Sequence, residues 1–307
     1  MNITTDTLFY TGVPVLVTGA AGFIGSHITR ALVAQGAHVT ALDDLSTGSL
    51  ENINDVLPSI EFIQGSVTDL QTCLQATKKQ HIIYHLAALK NVPESYEHPH
   101  RYHEINTQGT AYLLEAARIN GVERFIFSSS AAVYGEHLEA CSEQSVCKPQ
   151  SPYGYSKLIA EYYCREYATL FGLSTLILRY FNVYGSSNES LYRQSSVITQ
   201  FKKKLCENVP ITIFGDGNQE RDFTPVEHVV SANLSLALFA HDFKGEVVNI
   251  ATGTSITVLD LVSKLKNDFP SYNQEILFEK PRLGDIKISK ADCSKYQTIL
   301  KAYASIK

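Results

Sequence analysis

The stretch Val13-Pro14-Val15-Leu16-Val17-Thr18-Gly19-Ala20-Ala21-Gly22-Phe23-Ile24-Gly25 decides the fold. Val13 to Thr18 is a short apolar run of the kind that forms a buried strand, and Phe23 to Gln35 carries apolar residues at helical spacing. Between them lies a glycine turn. Glycines let a backbone turn tightly and approach a pyrophosphate, while the helix N-terminus that follows offers N–H groups and partial positive charge. The spacing is G-x-x-G-x-x-G rather than the usual dinucleotide G-x-G-x-x-G. A glycine triplet alone fits a tight turn in any α/β protein; its place between strand and helix says more. Asp43 closes the next strand, His38 to Leu42, about 20 residues on, where a ribose ligand is expected. Its carboxylate would accept from the adenosine ribose hydroxyls and repel a 2′-phosphate. No arginine follows it, so NAD is favoured over NADP. Asp44 beside it also reads as a turn residue.

Outward from this turn the rhythm repeats. Ile60 to Ile63, Ile82 to Leu86, Arg124 to Ser128 and Thr175 to Arg179 are short apolar strands, and Glu104 to Asn120 and Tyr153 to Phe171 are long helical segments. Strands alternating with helices give right-handed βαβ units and a parallel sheet. The expected fold class is α/β: a Rossmann-type doubly wound parallel sheet with a smaller C-terminal α/β substrate lobe. After Asn182 the segments shorten and polar turns multiply, at Gly185 to Asn188 and at Gly215 to Asn218. The expected division is residues 1–182 for the cofactor, with 229–250 returning to them, and 183–228 with 251–307 for the second lobe. Val226 to Ala240 and Glu246 to Ile250 are the helix and strand that return.

Composition narrows the class. The chain has 307 residues, enough for one large domain or two at about 150 residues each. Hydrophobic content of 44% suits a globular protein with a real core. A net charge of -5 leaves no basic footprint for nucleic acid, and Lys202-Lys203-Lys204 reads as a solvated helix face. Six cysteines are scattered without a C-x-x-C; no histidine or further cysteine stands near Cys141 and Cys147 at metal-ligand spacing, so no metal is expected. Six reduced thiols point to the cytoplasm. The first residues lack a basic region followed by an apolar one, so no signal peptide is expected. No stretch approaches the about 18 apolar residues of a membrane span, so no membrane partner is expected.

The candidate chemistry lies in Ser151-Pro152-Tyr153-Gly154-Tyr155-Ser156-Lys157. Tyr153 and Lys157 are four residues apart and share one helix face. A phenol with a pKa of about 10 is a poor base at neutral pH, and a nearby cation lowers it. The spacing is common, and Tyr303 and Lys307 have it too. Context separates the two pairs. Ser128-Ser129-Ser130 ends a strand, at the sheet edge where ligands of parallel sheets bind. Serine, tyrosine and lysine can then converge beside a nicotinamide.

At this point the chain resembles the extended short-chain dehydrogenase/reductase family, and within it the nucleotide-sugar 4-epimerases. The matching segments run in order from about Val13 to Leu300: Leu16 to His27, Leu42 to Gly48, His85 to Lys90, Phe127 to Gly135, Ser151 to Lys157, Leu178 to Gly185, Ile213 to Phe223 and Pro281 to Asp285. The resemblance implies that Tyr153, as phenolate, takes the proton of a sugar 4-hydroxyl while hydride passes from C4 to the nicotinamide. Lys157 would hold the phenol ionised and bond the nicotinamide ribose, and Ser130 would bond the 4-oxygen. For the cofactor it implies Gly19, Gly22, Phe23, Ile24, Gly25, Asp43, Ser46, Thr47 and Gly48, then Ser66 and Val67 near the adenine, where the family usually has aspartate in place of Ser66. Leu86, Ala87, Ala88, Lys90, Asn106, Ser128 and Tyr180 complete that set. For a UDP-sugar it implies Phe181, Asn182 on a phosphate oxygen, Val197, Thr212 and Phe214 at the uracil, Arg221 and Arg282 on the diphosphate, and Asp285 on the uridine ribose. Surface salt bridging is the bland alternative for Arg221 and Arg282.

Related dehydratases carry Asp-Glu after the hydroxyl residue, and the decarboxylases an acid at the second position. Here those positions are Ala131 and Ala132, which disfavours elimination. A bulky tyrosine four residues after the aspartate restricts relatives to glucose and galactose; here that position is Ser289, so an N-acetyl group is expected to fit. UDP-GlcNAc/UDP-GalNAc, with or without UDP-Glc/UDP-Gal, are the expected substrates. UDP-glucuronate stays open, and an NAD-binding sensor or scaffold is the non-enzymatic alternative. Glu104 to Asn120 and Tyr153 to Phe171 resemble the helices through which relatives dimerise. A homodimer through a four-helix bundle is expected, unless those apolar faces only cover the sheet.

Overall fold

The computed structural model describes residues 9–185, 197–239 and 241–304. The turn expected at Ser186 to Asn188, the helix end at Ala240 and the second half of the Tyr303–Lys307 pair lie outside these residues. Seven parallel strands form the central sheet: β1 Pro14–Thr18, β2 His38–Asp43, β3 Glu61–Gln64, β4 Ile82–His85, β5 Arg124–Ser130, β6 Ser174–Tyr180 and β7 Lys244–Ile250. Their order is β7-β6-β5-β4-β1-β2-β3. Strand order reverses between β1 and β4, so a crevice opens there beyond the carboxyl ends of the strands.

Successive side chains of a strand point to opposite faces, and β1 shows the consequence. Val15 and Val17 join Ile28 and Leu32 of helix α1 (Phe23–Ala34) in one core. Leu16 joins the other core with Leu113 and Leu114 of α2 (Gly109–Ile119) and Ala160 and Cys164 of α3 (Pro152–Phe171). The sheet is apolar on both faces because helices cover both. Beyond it, α4 (Val197–Cys206) and α6 (Val258–Lys266) enclose a separate core of Ile198, Phe201, Leu205, Ile211, Ile213, Leu261, Val262 and Leu265. Between them in the chain, α5 (Val226–Ala237) packs Val229, Ala232 and Leu236 into the first core, beside α1.

Most element boundaries shift from expectation by one to three residues, and three of the differences stand out. Strand β5 runs on to Ser130, because Ser128, Ser129 and Ser130 stay paired with Leu178, Arg179 and Tyr180 of β6; Ser129 Oγ also donates to Glu161 Oε1 at 2.6 Å. Helix α2 is preceded by a π turn, His103–Gln108, in place of regular α-helix from Glu104. The returning strand starts at Lys244, two residues early.

Candidate active site

The glycine turn does what its sequence predicts. Gly19 has φ +67°, and a Cβ there would stand 2.7 Å from the Ala87 backbone nitrogen, so only glycine fits. Gly22 precedes α1 as its N-cap residue and, being glycine, brings no side-chain oxygen to cap it. Gly19, Gly22, Phe23, Ile24 and Gly25 line a cleft of about 550 Å³. Ser46, Thr47, Leu86, Ala88, Lys90 and Ser128 line the same cleft. A narrower extension of about 80 Å³ is lined by Asp43, Ser66, Val67 and Ala87. Asp43 Oδ2 accepts from Ala21 N–H at 2.9 Å and Oδ1 from Leu45 N–H at 2.8 Å. Burial raises its carboxyl above the ordinary value, and those two bonds oppose the rise. Asp44 serves as a turn residue, accepting from Ser46 N–H at 2.9 Å. A cradle that admits no Cβ, a helix start led by glycine and a fixed carboxylate at the far end fit a dinucleotide such as NAD.

Beneath this cleft His85 holds the loop Leu86 to Ala88. Thr110 Oγ1 donates its proton to Asn106 O at 2.6 Å, so at 2.9 Å it can only accept from His85 Nε2–H. Nδ1 is then the acceptor from Thr18 Oγ1 at 2.7 Å. Thr18 Oγ1 in turn accepts from the N–H groups of Leu86 and Ala87, each at 3.2 Å. A second ring proton has no acceptor to meet, and burial holds the imidazole neutral, its pKa brought down to about 3. Asn106 is fully buried and lines none of these clefts. Delivered by the π turn, it accepts from Leu89 N–H at 2.8 Å, donates to Leu89 O at 2.9 Å and reaches Ser156 Oγ at 3.0 Å. It ties the loop bearing Lys90 to the helix bearing Lys157.

Ser130, Tyr153 and Lys157 come together at the end of β5. Ser151 caps α3, accepting from Gly154 N–H at 3.1 Å, with Pro152 at the first helical position. A Cβ on Gly154 would stand 2.6 Å from Ala132 O, so glycine there lets the first turn of α3 approach the Ser130–Ala132 turn. Burial raises the Tyr153 phenol above its ordinary value, and a hydrogen bond with Ser130 pulls it back. Lys157 is 4% exposed. Its Nζ donates to Ser128 O at 2.9 Å and lies 5.0 Å from the Phe127 ring centre. Burial brings the ammonium down to about 8, opposed by Cys164 and Glu161. Ser130 is the neighbour that opposes the rise of the phenol, while the Lys157 ammonium is anchored at the end of β5. Tyr180, on the neighbouring strand, bonds Ser128 Oγ at 3.0 Å and lines the same cleft.

A second cleft, of about 720 Å³, meets the first at Lys90, Ser130, Tyr153, Tyr180, Asn182 and Val183, which line both. It runs between the sheet and the α4/α6 elements. Val197, Thr212, Phe214, Arg221, Arg282, Asp285 and Ser289 line it. Phe181 is buried in a neighbouring cluster instead, against Tyr134. Asn182 has φ +30°, a strained value for a non-glycine residue, and its Nδ2 donates to Asp222 O at 2.9 Å. Arg221 pairs with Asp285, while the Arg282 guanidinium stacks 3.7 Å from the Phe214 ring centre. Lys204 corrects the expectation of a solvated lysine run. Lys202 and Lys203 are exposed, but Lys204 turns into the cleft and donates to Thr212 Oγ1 at 3.3 Å. Its spacing from Val197 and Phe201, on one helix face, was the available signal. A buried pair has no local signal in the sequence: Arg179 Nε and Nη2 donate to Glu161 at 2.8 and 2.6 Å, one helical turn beyond Lys157 on α3.

Fold and site together define an enzyme class: a doubly wound NAD-binding sheet whose serine, tyrosine and lysine stand where a cofactor cleft meets a substrate cleft. The sequence pattern described as "NAD dependent epimerase/dehydratase family" matches residues 15–251. The chain belongs to that family, within the extended short-chain dehydrogenase/reductases, and is an NAD-dependent enzyme of the isomerase class. It is similar to the UDP-glucose 4-epimerase of Thermotoga maritima, solved with UDP-glucose: 36% identity, TM-score 0.87, covering 93% of this chain and 92% of that one. The UDP-N-acetylglucosamine 4-epimerase of Methanobrevibacter ruminantium, solved with UDP-N-acetylmuramic acid, gives 34%, 0.87, 94% and 92%. The UDP-glucose 4-epimerase of Thermus thermophilus, solved with NAD, gives 33%, 0.85, 93% and 92%.

Proposed function

We propose that the protein interconverts UDP-sugars epimeric at C4, with UDP-GlcNAc and UDP-GalNAc among its substrates, through a transient 4-keto sugar. One observation carries the choice of epimerisation over elimination. Ala131 and Ala132 line the substrate cleft directly after Ser130, where loss of water would need an acid and a base. NAD, when bound by the glycine turn, Asp43, Ser46, Thr47, Gly48 and Lys90, supplies the acceptor and donor of hydride. Tyr153 Oη takes the proton from the sugar 4-hydroxyl and later returns it to the same oxygen. The Ser130 hydroxyl bonds that oxygen and steadies the phenolate. Lys157, held by Ser128 O, keeps a positive charge beneath the site. Arg221 and Arg282 suit a diphosphate, and Asp285 a ribose.

Sugar choice rests on Ser289. It is 7% exposed, lines the cleft, and its Oγ accepts from Asn182 Nδ2 at 3.4 Å. A small residue there supports room for an N-acetyl group. Incubation with a panel of UDP-sugars followed by NMR is the test; turnover of UDP-glucose without turnover of UDP-GlcNAc would sink the substrate claim. UDP-glucuronate is the second reading, since none of the described residues lining both clefts, where the sugar would sit, is acidic and able to repel a carboxylate. Tyr153→Phe should cut kcat by about 10²–10⁴-fold and leave bound NAD in place, measured by turnover and by cofactor content of the purified protein. Six free thiols support a cytoplasmic setting. An apolar stripe on α3 (Tyr155, Ile159 and Tyr162, exposed on the side away from Ala160 and Cys164) supports a homodimer by helix pairing.

A further inference from the structure

We propose that Lys204 reads the nucleobase of the substrate, donating to the O4 carbonyl oxygen of uracil. The proposal rests on the UDP-sugar assignment above. The reacting sugar must sit where the two clefts meet, at Ser130 and Tyr153, and the base of a nucleotide-sugar lies at its other end. Lys204, Thr212 and Phe214 line only the substrate cleft, away from that junction. Thr212 and Phe214 are two residues apart on one strand, so they share its face, while Ile211 and Ile213 point into the α4/α6 core. The Lys204 ammonium, bonded to Thr212 Oγ1 at 3.3 Å, therefore stands over the same strand face as the Phe214 ring. A flat apolar ring beside a cation with two further N–H donors matches a planar base whose edge carries carbonyl acceptors. Phosphate would need no ring and is served by the arginines. Uracil presents two carbonyl oxygens; cytosine replaces O4 with an amino donor, which an ammonium repels.

Titration calorimetry of the full-length protein with UDP, CDP and uridine tests the assignment, using wild type, Lys204→Met and Lys204→Arg. Lys204→Met keeps the aliphatic stem and is expected to weaken UDP and uridine by the same factor, about 10-fold or more. It should also bring the UDP-to-CDP affinity ratio toward one, and Lys204→Arg should restore most of that ratio. A loss for UDP with no loss for uridine would assign the lysine to phosphate and overturn the proposal. Unchanged affinities and an unchanged ratio would overturn it as well. Absence of UDP binding by the wild type would instead overturn the substrate assignment on which it stands.

Discussion

At the scale of single residues, His85 shows how a motif conserves its geometry through one tautomer. Its ring is fixed by an acceptor-only contact at Thr110 and a donor at Thr18, with Phe125 and Phe127 rings each 5.7 Å away. The folded pKa of about 3 lies below the ordinary 6.5. Above pH 6.5 both folded and unfolded imidazoles are neutral and the group is neutral to stability. Between there and about 3 only the unfolded chain takes up the proton, so stability falls as pH falls. The full loss is on the order of 5 kcal/mol. The His85 ring resonances should stay those of a neutral, Nε2-protonated imidazole from pH 8 down to pH 5; a proton taken up in the folded protein near pH 6 would refute the network. The midpoint of thermal unfolding should drop over the same acid range.

At the scale of elements, the turn from β1 to α1 and the first turn of α3 set the site. Gly19→Ala would force φ +67° on a residue with a Cβ and drive that carbon against Ala87 N. It should abolish NAD binding and lower the unfolding midpoint, read by cofactor fluorescence and calorimetry; unchanged NAD affinity would show that the loop can move aside. These two elements were legible in the sequence because their information is local. Strand, glycine spacing, acidic residue and the Tyr153–Lys157 interval all follow from neighbours in the chain. The π turn at His103–Gln108 was not legible. Its extra residue is held by Asn106 bonding both backbone groups of Leu89, a partner 17 positions away. The inward turn of Lys204 and the Ser128 contact of Lys157 likewise depend on which strand lies opposite. Arg179 read as a strand end, yet it is buried against Glu161, a pairing that only folding α3 over β6 creates.

At the scale of the whole molecule, the α3 surface predicts assembly. Light scattering at micromolar protein should give twice the 34.0 kDa chain mass, and a monomer mass would refute the homodimer. Substituting Tyr162 by aspartate should shift the assembly toward monomer. The sheet has a further consequence, for synthesis. Strand β6 pairs on one side with β5 and on the other with β7, whose residues come from Lys244–Ile250, far along the chain. The helix Ser294–Ala304 closes over β7, with Lys295 Nζ donating to Val247 O at 2.7 Å and the Tyr296 ring 5.6 Å from His228. While the ribosome has released only the first part of the chain, β6 is an open edge offering unpaired N–H and C=O groups to any passing strand. The cofactor-binding sheet is therefore begun first but completed late, and a nascent chain stalled before Lys244 still carries that open edge.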